Sequence, residues 1–556
     1  MTAEGRGRGR TWVVLGLLAF LALLPLRGLL RNQGPPMEEG FMLVFPERVL
    51  HGALPNRGFL HLYGPGSLWA LAATYKVFGV RLVVERLFGF AQQMAVVAGV
   101  YLLARRWGRV AAFFCAAASC VIIMPPIGLT ALAWVGAVGL GLLALDAVLA
   151  ASGEPDERRR KRLVITAGLL AGFALLFRVD LIVAIGLAGI VATRTLSKRD
   201  RKTLYWTTVA GVSPYVIHLA TAGPGHVLRG MVLDPIIYLR GGRRLSIPPP
   251  PSHLEGWLQR AGELRKIHWP FPVLRSPAQL TVWFFVLLFA VFALAFTGWR
   301  LVRADRTSAR GRALFAVGLF SAGMLPQAVQ RTDSTHFAWV SCVPVALLPL
   351  ALIEWSRLRV SWSPRTRAAV AGVLVLGLLA FVIPRYTVQQ FTDYVAQTFG
   401  VHREAYKIQR GPRVFYYGKK QVALALPPLM RDLDRYSRKG DSLLVGTVDL
   451  RKTPYSDAFL YYLYPELKPA TYYIEMDPGV ANAKNSRLTD EVRKADFLVL
   501  SSVWDNWVEP NDSRNFGPNA PNEVVKKSFC RLGSYNGQYQ LYERCDLARA
   551  RGAVTA

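Results

Sequence analysis

The stretch TWVVLGLLAFLALLPLRGLLRNQGPPMEEGFM (residues 11–42) joins a long apolar run to two adjacent glutamates, Glu38 and Glu39. About 20 apolar residues suffice for a helix to cross the hydrocarbon core of a bilayer. A basic start, GRGRGR, precedes the run as in a signal peptide, but no clear small-residue cleavage site follows it. We therefore predict an uncleaved first membrane span, with the acidic pair where the chain leaves the bilayer.

The composition also indicates a polytopic membrane protein. Hydrophobic residues make up 52% of the 556 residues, and the mean hydropathy is +0.26. Soluble domains rarely combine these two values. The net charge is +31, but the basic residues punctuate apolar runs instead of forming one stripe. The positive-inside rule explains that pattern, so we expect the lipid bilayer, and no nucleic acid, as a partner.

The apolar runs predict an α-helical polytopic protein with about eleven transmembrane helices. Several runs are short, which suggests tilted or broken spans. The predicted spans are 11–30, 83–104, 110–124, 127–150, 163–177, 180–193, 203–221, 279–302, 313–329, 338–355 and 368–384.

Charge in the connecting segments predicts the orientation. If the N-terminus is cytoplasmic, every strongly basic short loop falls on the inner side, from GRGRGR to RLRVSWSPRTR (357–367). The outer short loops MPP (124–126), RVD (178–180) and QRTDSTHF (330–337) hold fewer cations. This alternation predicts a multi-pass protein of the plasma membrane with an extracytoplasmic C-terminal region.

Two domains are expected. Residues 1–385 form the transmembrane domain, with long outer loops at 31–82 and 222–278, and residues 386–556 form a small extracytoplasmic α/β domain. In the latter, DSLLVGT and ADFLVLSS predict buried strands, and KKSFCRLGSYNGQYQLYER predicts two strands around Asn536-Gly537. The loop 222–278 is expected to be extended and basic because of its prolines. No Gly-rich phosphate loop is present, so we infer no nucleotide site in the C-terminal domain.

The five cysteines divide by their surroundings. Cys115, Cys120 and Cys342 lie in apolar runs and are expected to be packing residues. Cys530 and Cys545 lie in the polar C-terminal region. They form a disulfide across a hairpin if that region is outside the cytoplasm, or remain free thiols.

Polar residues at the predicted outer side are candidates for substrate binding. Arg178 and Asp180 join two apolar runs, and they either bind substrate or form a snorkelling pair that caps the next helix. Arg331, Asp333 and His336 lie in one short loop. Arg331 can hold a phosphate with its forked donors, and His336 can donate a hydrogen bond or transfer a proton. The alternative is a solvated turn.

The glutamate pair is the candidate catalytic centre. In an extended segment, adjacent side chains point to opposite sides, so one carboxylate faces a cavity while the other braces the loop or holds a cation. A carboxylate in a partly dry site can accept a proton from a hydroxyl. The alternative is a pair of solvated charges at a helix N-terminus. Downstream, FLHLYGPG adds His61 and Tyr63, two further candidates for substrate binding, before a Gly-Pro-Gly turn.

These features resemble the GT-C superfamily of integral membrane glycosyltransferases. The shared pattern is an acidic pair in the first outer loop, a YGPG-like turn, many spans and an outer C-terminal domain. The nearest groups are the bacterial protein O-mannosyltransferase and aminoarabinose-transferase types. PATYYIEMDPG (469–479) and EPN (509–511) also resemble actinobacterial members.

The resemblance implies transfer of a hexosyl or pentosyl group from a polyprenyl-phosphate carrier to a cell-envelope acceptor. Glu38 and Glu39 match the acidic motif that supplies the base, and Arg178 and Arg331 are the candidates for holding the carrier phosphate. No cofactor is certain; some relatives hold a metal, which leaves Mg²⁺ or Mn²⁺ beside the glutamates open. Direct attack assisted by one carboxylate implies inversion. The rival functions are a transporter or flippase of lipid-linked sugar and a non-catalytic assembly protein.

Overall fold

The computed structural model describes residues 3–260, 269–357 and 359–553, and most of them are helical. The chain forms two compact units. The first unit contains Met1–Leu29, Gly89–Val216 and Ser246–Arg403, and the second contains Leu30–Phe88, Ile217–Leu245 and Glu404–Ala556. The whole of the predicted outer loop 31–82 and part of 222–278 therefore belong to the same unit as most of the C-terminal domain.

Among the described residues, seven helices are long and apolar enough to cross a membrane, which makes the chain a multi-pass membrane protein by length and composition. The bent pair Ser334–Ser341 and Pro344–Arg357 makes an eighth if it is one span. The seven are Thr11–Leu30, Leu82–Trp107, Arg109–Pro126, Ala133–Ala151, Ser276–Ala304, Ala309–Gln330 and Pro364–Val382.

Three predicted spans are helical but do not reach the length or composition of a complete crossing. The helix Glu157–Phe177 begins with a charged turn, ERRRKR. The apolar helix Val179–Ala192 falls among the shorter helices. The segment predicted at 203–221 is divided between Lys198–Val212 and Tyr215–Ala222. These interruptions explain why about eleven apolar runs yield seven or eight full-length spans.

Ionic contacts gather several predicted cytoplasmic loops at one end of the first unit. Arg106 Nη1 donates to Asp146 Oδ1 at 2.6 Å, and Arg310 Nε donates to the Arg106 carbonyl at 3.0 Å. Trp107 Nε1 and Arg357 Nη1 both donate to Glu354, at 2.5 and 2.9 Å. The basic segments around residues 106, 310 and 357 therefore lie together, as the alternation of charged loops predicts.

The C-terminal part of the second unit is a small α/β domain, as expected. The strands are β1 (Tyr406–Arg410), β2 (Arg413–Tyr417), β3 (Ser442–Thr447), β4 (Lys468–Pro469), β5 (Phe497–Ser501), β6 (Phe529–Tyr535) and β7 (Tyr539–Arg544). β1 and β2 form an antiparallel hairpin, and the other strands form one sheet in the order β4-β3-β5-β7-β6. β3 is parallel to β4 and β5, whereas β7 is antiparallel to β5 and β6.

A tight turn and a disulfide connect β6 and β7 at the edge of this sheet. Asn536 and Gly537 connect β6 to β7 with φ values of 49° and 62°, the left-handed conformation that a tight hairpin turn needs. Cys530 and Cys545 form a disulfide, which decides between the two expectations for these cysteines. Cys115, Cys120 and Cys342 are free and buried. Every residue of β5 is buried, consistent with a central strand.

Helices form much of the remaining second unit, including the two outer segments. The segment around the acidic pair is helical, not extended as predicted: the helix Pro36–Leu50 begins with Pro at its first turn, where a missing N–H costs nothing. The first part of 222–278 is also helical, since buried apolar side chains precede the proline run. The other helices are Pro65–Phe78, Pro224–Leu228, Arg229–Tyr238, Leu239–Arg243, Lys420–Tyr436, Phe459–Leu463, Leu488–Lys494, Ala520–Ser528 and Cys545–Ala550.

Candidate active site

Glu39 lies in the first turn of helix Pro36–Leu50 and is completely buried. Its two carboxylate oxygens accept hydrogen bonds from Arg86, at 2.7 Å from Nε and 2.8 Å from Nη2. Arg86 also donates to the carbonyl of Leu30 at 2.9 Å. A Cβ added to Gly34 would lie 2.7 Å from Glu39 Oε1, so the backbone closes over the carboxylate. Both oxygens of Glu39 are therefore engaged in a buried, forked ion pair.

Glu38 has a different environment, although it is the neighbouring residue. Its side chain is half-buried, and Oε2 accepts a hydrogen bond of 2.5 Å from the hydroxyl of Tyr455. The same hydroxyl oxygen accepts from the backbone N–H of Met37 at 3.1 Å. Successive residues of a helix point about 100° apart, so the two carboxylates face different partners. Glu38 is the member of the pair that remains accessible from the surface.

Tyr455 is held in place by aromatic packing. Its ring lies 4.3 Å from the ring of Trp504 and 5.3 Å from that of Trp507, measured between centroids. Burial, reinforced by the charge of Glu38, raises the pKa of Tyr455 well above its usual value. The phenol therefore keeps its proton and acts as a hydrogen-bond donor to Glu38.

Asp457 supports the same segment from within the domain. Its carboxylate accepts hydrogen bonds from Tyr539 at 3.0 Å, Trp504 at 3.2 Å and Tyr417 at 3.5 Å. Burial raises the pKa of Asp457 to about 6, although the hydrogen bonds oppose that shift. Because its partners lie on β2, β7 and the segment after β5, Asp457 fixes the backbone next to Tyr455.

A second group of buried charges belongs to the segment IEMDPG. Glu475 is 2% exposed and Asp477 is 1% exposed. Asp477 forms an ion pair with Arg243. Met476, between the two acids, has a φ of 53°, an uncommon conformation for a side chain other than glycine. Burial raises the pKa of Glu475 to about 7; Arg243 lowers it and Glu38 raises it further.

His61 and Tyr63 lie together in the second unit. Their rings meet edge to face with centroids 5.7 Å apart, and His61 also lies 5.8 Å from Phe45. His61 is 3% exposed, and the backbone N–H of Leu60 beside it donates to the Tyr472 carbonyl at 2.9 Å. These contacts pack the two residues against the domain, and their predicted part in substrate binding stays a prediction.

In the first unit, Arg331, Asp333 and His336 form a hydrogen-bonded cluster instead of a solvated turn. Arg331 Nε donates to Asp333 Oδ2 at 2.9 Å, and Asp333 Oδ1 contacts both the backbone N–H and the ring Nδ1 of His336 at 2.9 Å. Asp333 caps the helix Ser334–Ser341, which explains why an Asp precedes it. All three side chains are largely buried.

Arg178 and Asp180 form a second hydrogen-bonded group in the first unit. Arg178 donates to Asp180 through Nε at 2.9 Å and Nη2 at 2.6 Å, and Nη2 also lies 3.3 Å from Gln327 Oε1. Gln327 is one helical turn before Arg331. The Arg178 guanidinium lies 5.1 Å from the centre of the Trp134 ring. The candidate residues thus form two hydrogen-bonded groups in the first unit, Arg178 with Asp180 and Asp333 with Arg331 and His336.

The structure leaves other parts of the predicted site as expectations. Glu38 and Glu39 belong to the second unit, whereas Arg178 and Arg331 belong to the first. That the glutamates and the arginines act on the same substrate stays a prediction. Among the described residues, no group of three or more His, Cys, Asp or Glu side chains is arranged to hold a metal. With Glu39 occupied by Arg86, the residues here do not fit Mg²⁺ or Mn²⁺ well, and we derive no step through a metal.

Sequence reasoning missed several residues around Glu38, and each had a weak signal. Arg86 interrupts a predicted span, where an ionisable residue usually has a partner. Tyr455 and Asp457 lie in YSDAF, at the start of the segment that forms helix Phe459–Leu463. Glu475 and Asp477 stand on either side of Met476 in a segment otherwise rich in aromatic and apolar residues.

No protein-family model matches the sequence, and no curated protein matches it. Among solved structures, ArnT from Cupriavidus metallidurans bound to undecaprenyl phosphate has a TM-score of 0.51 at 13% identity, covering 96% of this chain and 98% of that one. Apo ArnT from Cupriavidus metallidurans has a TM-score of 0.48 at 13% identity, covering 97% of this chain and 99% of that chain. The Archaeoglobus fulgidus oligosaccharyltransferase tethered with an acceptor peptide has a TM-score of 0.44 at 14% identity. The match covers 94% of this chain and 74% of that chain.

At 13% identity the likeness concerns the fold, because one fold can carry several functions. The likeness in fold rests on the ArnT structure with bound undecaprenyl phosphate, because that match covers nearly the whole of both chains. The membrane-spanning helices and the small C-terminal sheet agree with it. This chain therefore has the fold seen in ArnT.

Proposed function

We propose that the protein transfers a sugar from a polyprenyl-phosphate carrier to a hydroxyl group of a cell-envelope acceptor. The observation that carries this proposal is the difference between the two adjacent glutamates. Arg86 binds both oxygens of Glu39, whereas Glu38 stays half-buried under a single tyrosine hydroxyl. Such an environment suits a carboxylate that accepts a proton, while its neighbour fixes the helix that carries it.

The proposed sugar transfer needs a single base. Glu38 takes the proton of the acceptor hydroxyl as that oxygen forms a bond to the anomeric carbon. The bond from the anomeric carbon to the phosphate oxygen breaks, and its electron pair leaves with the carrier phosphate. Arg331 and Arg178 are the groups that we assign to stabilising this phosphate, since a planar guanidinium matches phosphate oxygens with forked hydrogen bonds. The solved ArnT structure contains undecaprenyl phosphate, which supports a carrier of this class.

The assignment predicts inversion at the anomeric carbon. Retention normally requires a second carboxylate as nucleophile about 5 Å from the first. Glu39 is poorly placed for that part because both of its oxygens bind Arg86. Direct attack by the acceptor therefore fits the environment of the pair better than a covalent intermediate.

We further propose that the C-terminal region lies outside the cytoplasm. The Cys530–Cys545 disulfide supports this side, because disulfides persist in oxidising compartments. The gathering of the basic loops at one end of the first unit supports a cytoplasmic N-terminus by the positive-inside rule.

The test is transfer by membranes that contain the full-length protein or its Glu38→Gln variant. Polyprenyl-phosphate hexoses and pentoses with a radiolabelled sugar are supplied as donors, with cell-envelope extract as acceptor. We expect Glu38→Gln to lose at least about a hundredfold of the rate while its membrane abundance is unchanged. The exposed residue Glu523 gives the matched control, and Glu523→Gln should transfer normally.

The donor that is consumed identifies the sugar as a hexose or a pentose, and mass spectrometry of the envelope identifies the acceptor. Undiminished transfer by a normally abundant Glu38→Gln variant contradicts the proposed base. Movement of labelled donor across the membrane without formation of a glycosidic bond would instead support a flippase.

A further inference from the structure

A helical segment of the second unit, residues 224–243, exposes a row of apolar side chains. Leu228, Val232 and Ile236 are 54%, 37% and 60% exposed. They recur at every fourth position, so they lie on one side of the segment. We call Leu228, Val232, Ile236 and the exposed Ile237 the apolar stripe. The segment consists of three helices that follow one another without a gap: Pro224–Leu228, Arg229–Tyr238 and Leu239–Arg243.

The opposite side of the segment is packed into the second unit. Val227, Met231 and Leu239 are buried, and Leu239 belongs to the apolar core of that unit. A Cβ on Gly230 would collide with the side chain of Asn56, so the helix backbone lies directly on the neighbouring loop. The apolar stripe is therefore the outer face of a firmly packed helix. An exposed apolar face of this kind marks a site of contact with lipid or with another protein.

The charges beside the stripe favour an anionic surface as the partner. Arg229 is exposed near the beginning of the stripe, and Arg240 and Arg244 are exposed beyond its end. The one acid between residues 224 and 243, Asp234, is buried on the packed side. Cationic side chains beside an apolar face are typical of helices that lie in the interface of a bilayer, where the cations reach the lipid head groups. Tyr238, which is 52% exposed, belongs to a residue type enriched at the same level.

The second unit also contains the beginning of a membrane-spanning helix. The helix Leu82–Trp107 is long and apolar enough to cross a membrane, and its residues 82–88 belong to this unit. Val83 and Leu87, four residues apart in that part, are 46% and 45% exposed, as the lipid-facing residues of a span are. The unit therefore meets the bilayer, and lipid is available to cover a further apolar face.

We propose that the segment 224–243 lies in the interface of the bilayer and fixes the second unit against a surface that contains anionic lipids. The apolar stripe enters the region where the lipid chains begin, and Arg229 and Arg240 reach the head groups. A second copy of the chain is a poorer cover, because two such faces would bring their arginines together. The inference depends on the membrane spans and not on the proposed sugar transfer, so either can fail without the other.

The experiment measures the depth of a fluorescent label on the stripe. Full-length protein with Ile236→Cys is labelled with nitrobenzoxadiazole, whose emission depends on its surroundings, and placed in nanodiscs of phosphatidylcholine and phosphatidylglycerol. Leu424→Cys is the matched control, because Leu424 is 57% exposed on helix Lys420–Tyr436 of the same unit. Wild-type protein gives the background of labelling, since its free cysteines Cys115, Cys120 and Cys342 are buried.

We expect the label at position 236 to have a blue-shifted emission, to lose emission to lipids that carry a nitroxide, and to be protected from aqueous iodide. A nitroxide near the head group should quench it more than one near the end of the lipid chain. The label at position 424 should be quenched by iodide and not by the nitroxide lipids. Changing Arg229 and Arg240 together to Gln should weaken the nitroxide quenching at position 236.

Three results overturn the inference. Iodide quenching at position 236 as strong as at position 424 means that water covers the stripe, and protection from both quenchers means that protein covers it. Stronger quenching by the deeper nitroxide places the segment inside the hydrocarbon core and not in its interface. Unchanged quenching after loss of the two arginines overturns the part assigned to anionic lipids. Val232→Cys repeats the measurement at a second position of the stripe, and it decides if Ile236→Cys has a lower midpoint of unfolding than wild type.

Discussion

Glu39 and Arg86 form a buried ion pair in which both carboxylate oxygens of Glu39 accept from the same guanidinium, while Glu38 beside it binds Tyr455. The pair is 47 residues apart in sequence and joins the first turn of helix Pro36–Leu50 to helix Leu82–Ala104. A carboxylate without this counterion in a dry environment would carry a large desolvation penalty. The adjacent glutamates therefore have different physical tasks, and changes at the two positions should have different consequences.

Removing one partner of the buried pair should destabilise the fold. Glu39→Gln leaves the charge of Arg86 buried and uncompensated, which costs about 3–5 kcal/mol. We expect a clearly lower midpoint of thermal unfolding for the purified protein and less of it in membranes. The double variant Glu39→Leu with Arg86→Met removes both charges and should recover most of the loss. An unchanged midpoint for Glu39→Gln would show that the pair is not a stabilising element.

The hydroxyl of Tyr455 should matter for rate more than for folding. Tyr455→Phe keeps the ring packing with Trp504 and Trp507 but loses the hydrogen bonds to Glu38 and to the Met37 N–H. A hydrogen bond to a charged group contributes about 1.5–3 kcal/mol, so transfer should slow by about ten- to a hundredfold. The measurement is the initial rate beside the unfolding midpoint. Wild-type transfer by this variant would show that the hydroxyl does not position Glu38.

Asp457 should make the stability of the protein depend on pH. Its folded-state pKa of about 6 lies above the ordinary value of 3.8, so the folded protein binds the proton more tightly. Stability from this group is present below about pH 4 and decreases as the pH rises through about 6, by about 3 kcal/mol in total. Asp457→Asn should flatten the dependence between pH 4 and 7. Equal slopes of unfolding midpoint against pH in both proteins would contradict the assignment.

The cysteines allow a chemical test of the compartment. Under denaturing conditions without a reductant, a thiol reagent should modify Cys115, Cys120 and Cys342 only, because Cys530 and Cys545 are bonded. After reduction all five should react. Mass spectrometry of protein taken from cells with trapped thiols gives the count. Five reactive thiols before reduction would place this region in a reducing environment and contradict the extracytoplasmic assignment.

Arg331 should affect the affinity for the donor. Arg331→Gln removes a forked donor that we assign to the carrier phosphate, and it should raise KM for the polyprenyl-phosphate sugar by about ten- to a hundredfold. Arg310→Gln is the control, since Arg310 lies in the first turn of helix Ala309–Gln330 and Arg331 follows its last residue. A helix of 22 residues is about 33 Å long, so the control is remote from the predicted phosphate. Equal KM values for both variants would argue against the phosphate assignment.

Sequence patterns were sufficient for the membrane class and for four of the five strands of the C-terminal sheet, β3, β5, β6 and β7. Apolar runs and basic loops report on lipid contact and topology directly. The hairpin at Asn536-Gly537 was predictable because few other dipeptides adopt the required φ values. The helix around Glu38 was not, because acids after a proline are compatible with either a turn or a helix start.

The partners of the acidic pair were beyond sequence reasoning for a different reason. Tyr455 approaches Glu38 only through the fold, and no local pattern predicts a contact between segments that distant. The candidate cluster at 331–336 was predictable in its membership, since an Arg, an Asp and a His in one loop imply mutual contacts. The contact between Arg178 and Gln327, one helical turn before this cluster, required the packing of helices.

The hydrogen bond between Glu38 and Tyr455 joins residues that are 417 positions apart. A ribosome makes Glu38 early and Tyr455 only when most of the chain has been synthesised. The contact of Glu39 with Arg86, by contrast, is available as soon as the second long helix has been made. A translation product that stops before residue 455 therefore has both glutamates but lacks the tyrosine that orients one of them, and it should be unable to process lipid-linked sugar during its own biosynthesis.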